Sequence, residues 1–325
     1  MSIAATKQEQ NSAADAAQIK SAIEAMTKVV RDKEDVMKML FISFLARGHV
    51  LVEDVPGVGK TTISRCLAAV LGGDFSRIQL TSDLLPVDIV GGQVIENESK
   101  TIQFKSGPIF ANVVLADELN RATPRTQSGL LEAMAERSVT VDGKTHRLPN
   151  PFMVIATQNP LEHHGVYPLP ESQLDRFLLR LSVGYPGPEA EVSLIVGGAA
   201  ELAHDKLSSL SPIWNEAQVL QMFHRVDRIS IHQDVADYIQ SLIQATREHA
   251  EISTGVSTRG VLAFAAAVRA RAFVEARDYA TPEDVRALFL PVCSHRITLT
   301  TAGTNARIVA DAILGEILSN VSVPV

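Results

Sequence analysis

The chain has 325 residues, which is enough for two domains of ordinary size, each with its own core. It is 46% hydrophobic and 21% charged, as globular proteins are, and 30 basic against 37 acidic side chains give a net charge of −7. This acidic balance excludes a generally basic surface of the kind that binds nucleic acid, although a local basic path inside a ring stays open. Cys66 and Cys293 lie far apart in sequence and offer neither a disulfide framework nor a metal-ligand cluster, so we expect two reduced, buried thiols.

Residues 1–17 are rich in Ala, Gln and Ser, and we predict a loose arm there, with helical periodicity beginning near Ile19. The arm has no apolar core typical of a signal peptide. The most apolar early stretch, Met39–Ala46, is too short to cross a bilayer. We therefore expect a cytoplasmic protein that does not insert into membranes.

From residue 18 to residue 185, short apolar segments alternate with helical ones, which indicates an α/β domain. The apolar runs are nearly continuous, as in parallel strands that are buried on both faces, so we predict a five-stranded parallel sheet between helices. The predicted strands are His49–Val55, Arg77–Thr81, Val113–Asp117, Phe152–Thr157 and Phe177–Val183.

Two further segments interrupt this alternation and are predicted as inserted β-hairpins. One is Gln93–Lys105, with Asn97-Glu98-Ser99-Lys100 between its arms. The other is Ser138–Leu148, which alternates with period two around Asp142-Gly143, a strong signal for a tight turn.

Tyr185-Pro186-Gly187-Pro188 predicts a domain boundary. Residues 186–325 are helical in pattern, and Thr281-Pro282-Glu283-Asp284 has the N-cap hydroxyl, the proline and the acids that begin a helix. We predict a smaller all-helical domain over residues 186–325.

The segment Pro56-Gly57-Val58-Gly59-Lys60-Thr61 follows an apolar strand and begins an amphipathic helix, the context of a phosphate-binding loop. Glycines let backbone N–H groups turn toward anionic oxygens, and the helix N-terminus adds partial positive charge. Lys60 would reach the β- and γ-phosphates, and the Thr61 hydroxyl would hold Mg²⁺. The general pattern has glycine where this chain has Asp54, so a glycine turn without a nucleotide stays the alternative.

Polar groups follow two of the other predicted strands. Asp117 and Glu118 end one strand; the first would support Mg²⁺, and the second would orient or deprotonate the attacking water. Asn159 follows another strand, where an amide can bond both the γ-phosphate and the water, although by itself it is also typical of a turn before Pro160.

Together these segments resemble the MoxR-type AAA+ ATPases over roughly residues 22–320. Position 54 is often acidic in that family, whereas Arg31-Asp32 departs from it, because a glycine usually follows a valine there, near the adenine pocket. The motifs that carry the resemblance are Leu51 to Thr61, Gly107-Pro108-Ile109-Phe110-Ala111-Asn112 with the acids after it, Asn120-Arg121-Ala122, Thr126-Gln127, Leu130 to Met134, Val139 to Gly143, Ala156 to Pro160, Tyr167 to Glu171, and Leu174-Asp175-Arg176-Phe177.

The resemblance implies ATP and Mg²⁺ as cofactors, with Asn159 as the first sensor. Arg176 would be the arginine finger that completes a neighbouring subunit's site, and Arg259 would be the second sensor on the helical lid. The hairpins would face the pore of a ring. The implied nucleotide contacts are Asp54, Pro56, Gly57, Val58, Gly59, Lys60, Thr61 and Thr62, with Thr61 and Asp117 on the metal.

Plainer interpretations stay open for several of these side chains. Arg176 could instead pair with Asp175 or Glu171, and Arg259 could be a solvated residue at a helix start. His163-His164 are predicted to face solvent rather than to bind a metal.

The resemblance implies an ATP-hydrolysing, chaperone-like protein that forms a ring, expected to be hexameric, and remodels or matures a protein client. A von Willebrand factor A-domain protein would be its partner. The alternatives are a nucleic-acid motor and a nucleotide switch without significant hydrolysis. The acidic balance disfavours the first, as do hairpins whose basic residues are only Lys100, Lys105, Lys144 and Arg147. The presence of Glu118 and Arg176 disfavours the second.

Overall fold

The computed structural model describes residues 3–95, 101–160, 165–197, 206–300 and 306–324. Of the segments discussed above, the hairpin turn at 96–100 and the histidines at 163–164 lie outside these ranges. The strands of the first 185 residues are β1 (Val50–Glu53), β2 (Phe75–Gln79), β3 (Gly91–Ile95), β4 (Ile102–Ser106), β5 (Val113–Asp117), β6 (Ser138–Val141), β7 (Lys144–Arg147), β8 (Met153–Gln158) and β9 (Leu179–Leu181).

Five of these strands form the predicted parallel sheet, in the order β2-β5-β8-β1-β9. Each lies within two residues of its predicted ends. Val113 and Leu115 of β5 face one hydrophobic core, while Val114 and Ala116 face the other. Because successive side chains of a strand point to opposite faces, a sheet buried on both sides needs these continuous apolar runs.

Both predicted hairpins are present, β3–β4 and β6–β7, each as an antiparallel pair. In the second, Asp142 and Gly143 have φ values of 48° and 76°. Positive φ at both central residues is the geometry of the tight turn that Asp-Gly favours.

The helices of this part are α1 (Ile3–Thr27), α2 (Glu34–Leu45), α3 (Lys60–Leu71), α4 (Pro86–Val90), α5 (Pro124–Glu136) and α6 (Glu171–Leu174). The apolar face predicted for α3 is buried under the sheet, and Gly72, with φ of 65°, ends the helix in the left-handed conformation usual for a C-terminal glycine.

The N-terminal segment differs from its prediction: in place of a loose arm over residues 1–17, α1 begins at Ile3. Long-range contacts hold its second half. Ala16 and Ile19 are buried, the Asp15 carboxylate pairs with Arg225 at 2.6 Å, and Gln18 accepts a hydrogen bond from Trp214 at 2.9 Å. The Ala- and Gln-rich sequence gave no periodic signal because few apolar side chains mark its buried face.

The C-terminal part contains α7 (Pro188–Gly197), α8 (Glu216–Asp227), α9 (Gln233–Glu248), α10 (Thr258–Val274), α11 (Pro282–Cys293) and α12 (Ala306–Asn320). It is helical, as predicted, but not purely so. Two short strands, β10 (Ile252–Thr254) and β11 (Thr298–Leu299), pair and join the segment before α10 to the segment after α11. Thr281 and Asp284 form the capping box that begins α11.

One apolar core continues from the α/β part into the helical part, where the ring of Phe44 in α2 lies 5.4 Å from that of Phe223 in α8. The predicted boundary at 185/186 falls between β9 and α7, and the division there into an α/β domain and a lid domain stays a prediction. None of the helices in the described ranges has the length and apolar character that spanning a bilayer requires.

Candidate active site

The loop between β1 and α3 carries two glycines in left-handed conformations, Gly57 with φ of 87° and Gly59 with φ of 89°. Other residues rarely adopt these angles, so glycine is required at both positions. Gly59 is also the N-cap of α3, and no side chain caps the helix there. Uncapped N–H groups at a helix N-terminus bind anionic oxygens, so the loop is suited to bind the phosphates of a nucleotide.

Lys60, Thr61 and Thr62 form the first turn of α3 and line a cleft of about 360 Å³, together with Pro56 and the two loop glycines. The Lys60 ammonium donates a hydrogen bond to the carbonyl of Asp54 at 3.1 Å, which holds it over the loop. This wall of the cleft therefore supplies one positive charge and two hydroxyl groups.

The opposite wall comes from the carboxyl ends of β5 and β8. Asp117 and Glu118 line it, followed by Thr157 and Asn159. Carboxyl ends of parallel strands meet at one edge of a sheet, which is why residues far apart in sequence converge here. The predicted metal and water residues, the predicted first sensor and most of the predicted phosphate contacts are thus brought to one cleft.

Thr157 was not singled out from the sequence, yet it fixes both acidic residues. Its Oγ1 donates to the Asp117 carboxylate at 2.6 Å and accepts from the Glu118 backbone N–H at 2.9 Å. Because β8 pairs with β5 up to Ala116 and Ala156, the next residue of β8, Thr157, lies beside Asp117. A hydroxyl residue before Gln158 was the only available sequence signal.

Glu118 adopts a left-handed backbone conformation, with φ of 59°. This region is uncommon for non-glycine residues, and strain of this kind is concentrated at functional sites. The Glu118 carboxylate accepts a hydrogen bond from Arg121 at 3.0 Å.

Arg77 is a second residue that the sequence did not indicate. It lies on β2 beside β5, lines the cleft, and its guanidinium pairs with the Asp117 carboxylate at 2.6 Å. Asp117 therefore receives hydrogen bonds from two sides, one from Thr157 and one from Arg77.

The donor set fits Mg²⁺ bound through the Thr61 hydroxyl and the Asp117 carboxylate, because Mg²⁺ commonly takes one or two protein oxygens and completes its shell with phosphates and water. A cage of three or more His, Cys, Asp or Glu side chains does not occur within the described ranges. The histidine pair at 163–164 lies outside them.

Asp54, one of the predicted nucleotide contacts, does not line the cleft. Its carboxylate accepts hydrogen bonds from the backbone of Val183 and Gly184, both at 2.6 Å, and from Ser182 at 3.0 Å. Burial by itself raises the pKa of Asp54, but these hydrogen bonds, with that of the Val55 N–H, lower it overall. Asp54 thus ties the loop to the segment after β9, and only its carbonyl reaches Lys60.

A second cavity of about 250 Å³ lies on the other side of the phosphate loop. Val29, Val30 and buried Val58 give it apolar walls, and Pro186 and Ala190, at the start of the helical part, close it. The two residues that depart from the family pattern lie at this cavity or next to it. Arg31 lines the cavity, and Asp32, the next residue, has a left-handed φ of 57°.

The two predicted arginines do not line the cleft of their own chain. Arg176 follows α6 and donates a hydrogen bond to the Leu131 carbonyl at 2.5 Å. Its neighbour Asp175 pairs with Arg296 instead, so that the alternative of an Arg176–Asp175 pair does not occur. Arg259 is exposed in the first turn of α10.

The fold and the site define the class of protein. The family model of the ATPase family associated with various cellular activities (AAA) matches residues 49–179, and the model of the AAA lid domain matches residues 244–317. The chain is an AAA ATPase in its architecture: a parallel sheet with a phosphate loop, followed by a helical lid.

Within that class, the chain belongs to the MoxR family of AAA+ ATPases. It is 37% identical to Chaperone MoxR1 of Mycobacterium tuberculosis over 96% of this chain and 84% of that protein. It is 43% identical to the uncharacterized protein YeaC of Bacillus subtilis over 94% of each. A crystal structure from Cytophaga hutchinsonii, provisionally described as an ATPase, superposes with a TM-score of 0.88 at 33% identity, covering 99% of this chain and 98% of that one.

Proposed function

We propose that this protein binds ATP with Mg²⁺ in the cleft, hydrolyses it to ADP and phosphate, and uses the cycle to remodel or mature a protein client. The observation that carries this proposal is the convergence of Lys60, Thr61, Asp117, Glu118 and Asn159 on one cleft at the carboxyl edge of the sheet.

In the bound state, the loop amides and Lys60 hold the β- and γ-phosphates, while the apolar cavity beyond Val58 takes the adenine base. Thr61 and Asp117 would hold Mg²⁺, which would neutralise charge on the phosphates. Thr157 and Arg77 keep the Asp117 carboxylate in place through hydrogen bonds of 2.6 Å each.

For hydrolysis, Glu118 orients a water molecule and accepts its proton. The water oxygen bonds to the γ-phosphorus as the bond to the oxygen shared with the β-phosphate breaks, which leaves ADP and inorganic phosphate. Asn159, which lines the same cleft, would bond the γ-phosphate and the water. The Glu118 carboxylate accepts the Arg121 hydrogen bond on one of its two oxygens and can accept one from that water on the other.

We further propose that the chain assembles into a ring, as a hexamer, in which Arg176 completes the site of a neighbour. Two observations support this: Arg176 does not line its own cleft, and its buried Nε has no hydrogen-bond partner within the described ranges. An arginine supplied by a neighbour contributes roughly 10³–10⁵ in rate in related phosphoryl-transfer enzymes.

A protein client is supported by the β3–β4 hairpin, on which three apolar side chains are exposed among polar residues and Lys105. Ile95 is 68% exposed and Ile102 is 65% exposed, with Val94 beside them. The relative named Chaperone MoxR1 supports a chaperone role, and the family resemblance supports a von Willebrand factor A-domain partner. We place the protein in the cytoplasm, where ATP is available and its two buried thiols stay reduced.

The test measures phosphate release from ATP with Mg²⁺ over a range of protein concentrations. Turnover per subunit should collapse when the assembly dissociates on dilution. Glu118→Gln should keep ATP affinity and reduce turnover by about 10²–10⁴. Glu216→Gln, at an exposed position that begins α8, is the matched control and should leave turnover unchanged.

Other outcomes would redirect the assignment. Equal turnover in a dilute monomer would remove the role of Arg176 in a neighbour's site. Binding of ATP without phosphate release would indicate a nucleotide switch, and strong stimulation by DNA that falls steeply with salt would indicate a nucleic-acid motor. Retention of a von Willebrand factor A-domain protein by the Glu118→Gln variant, in ATP but not in ADP, would support that partner.

A further inference from the structure

The segment that carries Arg176 is held by a buried arginine of the helical lid. Arg296 follows α11, and its side chain is 2% exposed. Its Nε donates to the Asp175 carboxylate at 2.8 Å, and its terminal nitrogens donate to the carbonyls of Phe177 at 2.5 Å and Leu178 at 3.0 Å. One guanidinium therefore binds the chain on both sides of Arg176.

A second lid element meets the same carboxylate. The hydroxyl of Ser257, the N-cap of α10, donates to the other oxygen of Asp175 at 3.0 Å and accepts from the Gly260 N–H at 3.0 Å. The two oxygens of Asp175 are thus bound by two different parts of the lid. His295 adds a hydrogen bond to the Phe177 carbonyl at 2.9 Å. We call these residues, 175–178 with Ser257, His295 and Arg296, the finger–lid contact.

The finger–lid contact leaves little room for independent movement. A Cβ atom at Gly260 would lie 2.6 Å from Val256 Cγ1 and 3.0 Å from Arg296 Cδ, so even a methyl group would crowd these side chains. Charge-assisted hydrogen bonds are shorter and more directional than neutral ones. A lid that rotates must therefore carry Asp175, and with it Arg176, along.

The lid also touches the nucleotide side of the molecule. Pro186 and Ala190 close the cavity proposed for adenine, and the exposed Arg259 lies two residues beyond Ser257 on the same helix start. A nucleotide bound in this chain's own cleft would therefore contact Pro186 and Ala190 of the lid, and through them it would affect the position of the lid.

We propose that Asp175, Ser257 and Arg296 are positioning residues that couple the lid of a subunit to its Arg176, so that the nucleotide held by one subunit sets how it presents the arginine to the next. This inference rests on the proposed function, because it requires Arg176 to act in a neighbour's site.

The main test uses Ser257→Asp. Aspartate is as good an N-cap as serine, so α10 keeps its start, but a second carboxylate repels Asp175 and opens the finger–lid contact. We expect kcat of the assembled protein to fall about tenfold or more while the Kd for ATP changes by less than about twofold, since only the neighbour's reaction loses its arginine. Ser257→Thr, which keeps the hydroxyl, should retain the kcat of the original chain.

Asn215→Asp is the matched control, because Asn215 caps α8 in the same lid far from the finger–lid contact. It should leave kcat and assembly unchanged. Asp175→Asn tests the other side of the contact without adding charge. Sedimentation and thermal unfolding of each variant verify that assembly and folding are retained.

The decisive measurement is a double-mutant cycle with Arg176→Ala. If the contact acts through Arg176, Ser257→Asp will lower kcat no further in the Arg176→Ala background. Additive losses, or an unchanged kcat in both Ser257→Asp and Asp175→Asn, would overturn the coupling. If Arg176→Ala alone leaves turnover intact, the role of Arg176 in a neighbour's site itself fails; if it lowers turnover while the contact variants do not, only the coupling fails.

Discussion

The nucleotide cleft and the finger–lid contact are assembled from the chain in different ways. In the cleft, the side chains that would contact ATP lie at the carboxyl ends of β5 and β8 or in the loop and helix start after β1, at the edge where the parallel strands end. In the finger–lid contact, Asp175 meets Ser257 and Arg296, which lie 82 and 121 residues further along the chain.

The two regions also differ in solvent exposure. The cleft is open, whereas Arg296 is almost wholly buried, and burial lowers its pKa while Asp175 acts against that shift. An open site can admit a substrate, and a buried ion pair fixes a geometry. In our proposal, the side chains that act on ATP lie in the cleft, and the finger–lid contact positions Arg176 from a separate, buried region. The following predictions test that separation.

The largest expected effect is at Asp54, between the two regions. Asp54→Ala leaves the N–H groups of Val183 and Gly184 without their acceptor, so we expect a loss of about 3 kcal/mol in the free energy of unfolding. The KM for ATP should change little, because the carboxylate points away from the cleft. Chemical denaturation and steady-state kinetics measure the two quantities. A large rise in KM with unchanged stability would return the carboxylate to the nucleotide site; Asp54→Asn, which keeps one acceptor, should fall between.

The second prediction concerns pH. Burial lowers the pKa of His49, which lies at the foot of β1, to about 4, and lowers that of His295 in the finger–lid contact well below its usual value. Both stay neutral when folded but take up a proton near pH 6.5 when unfolded. Their contribution to stability is therefore complete above pH 6.5 and is lost as pH falls toward the folded pKa.

For His49 alone, we expect the free energy of unfolding to drop by about 2 kcal/mol between pH 7 and pH 5. His49→Gln and His295→Gln should each flatten the profile measured by denaturation at several pH values. Profiles parallel to that of the original chain would contradict the assignment.

The third prediction is confined to the cleft. Thr157→Val keeps the shape of the side chain but removes the hydroxyl between Asp117 and Glu118, so kcat should fall about tenfold, which corresponds to about 1.4 kcal/mol. Thr157→Ser keeps the hydroxyl and should retain most of the activity. An unchanged kcat in Thr157→Val would show that the acidic pair needs no such support.

The smallest effect compares two helical glycines of the lid. A Cβ at Gly315 in α12 meets nothing within 4 Å, so Gly315→Ala should stabilise the protein by about 0.5–1 kcal/mol. Gly260→Ala gains the same helix propensity but crowds Val256 and Arg296, and we expect a net loss of about 1 kcal/mol. Thermal unfolding distinguishes the two. A stabilising Gly260→Ala would mean that the finger–lid contact is packed less tightly than the distances at Gly260 indicate.

Much of the fold could be predicted from the sequence, because its signals are local. Apolar runs bounded by turns predicted all five strands of the sheet to within two residues, and Asp142-Gly143 predicted its hairpin. The cleft residues were predicted for the same reason, since a loop, a helix start or a strand end specifies where its next side chain lies.

The helix that replaces the predicted N-terminal arm needed the tertiary structure. Its second half is fixed by Trp214 and Arg225, which lie about two hundred residues away in the lid. Residue types near Asp15 and Gln18 do not contain that information.

The sequence by itself determined that this chain has a phosphate loop, an acidic strand end and a lid, because each depends on neighbours within a few residues. Only the tertiary structure decided what Asp54, Thr157 and Asp175 do, because the partner of each comes from a different strand or from the lid. A carboxylate or a hydroxyl can bind many groups, and which one it meets is set by the packing of distant elements rather than by its own segment.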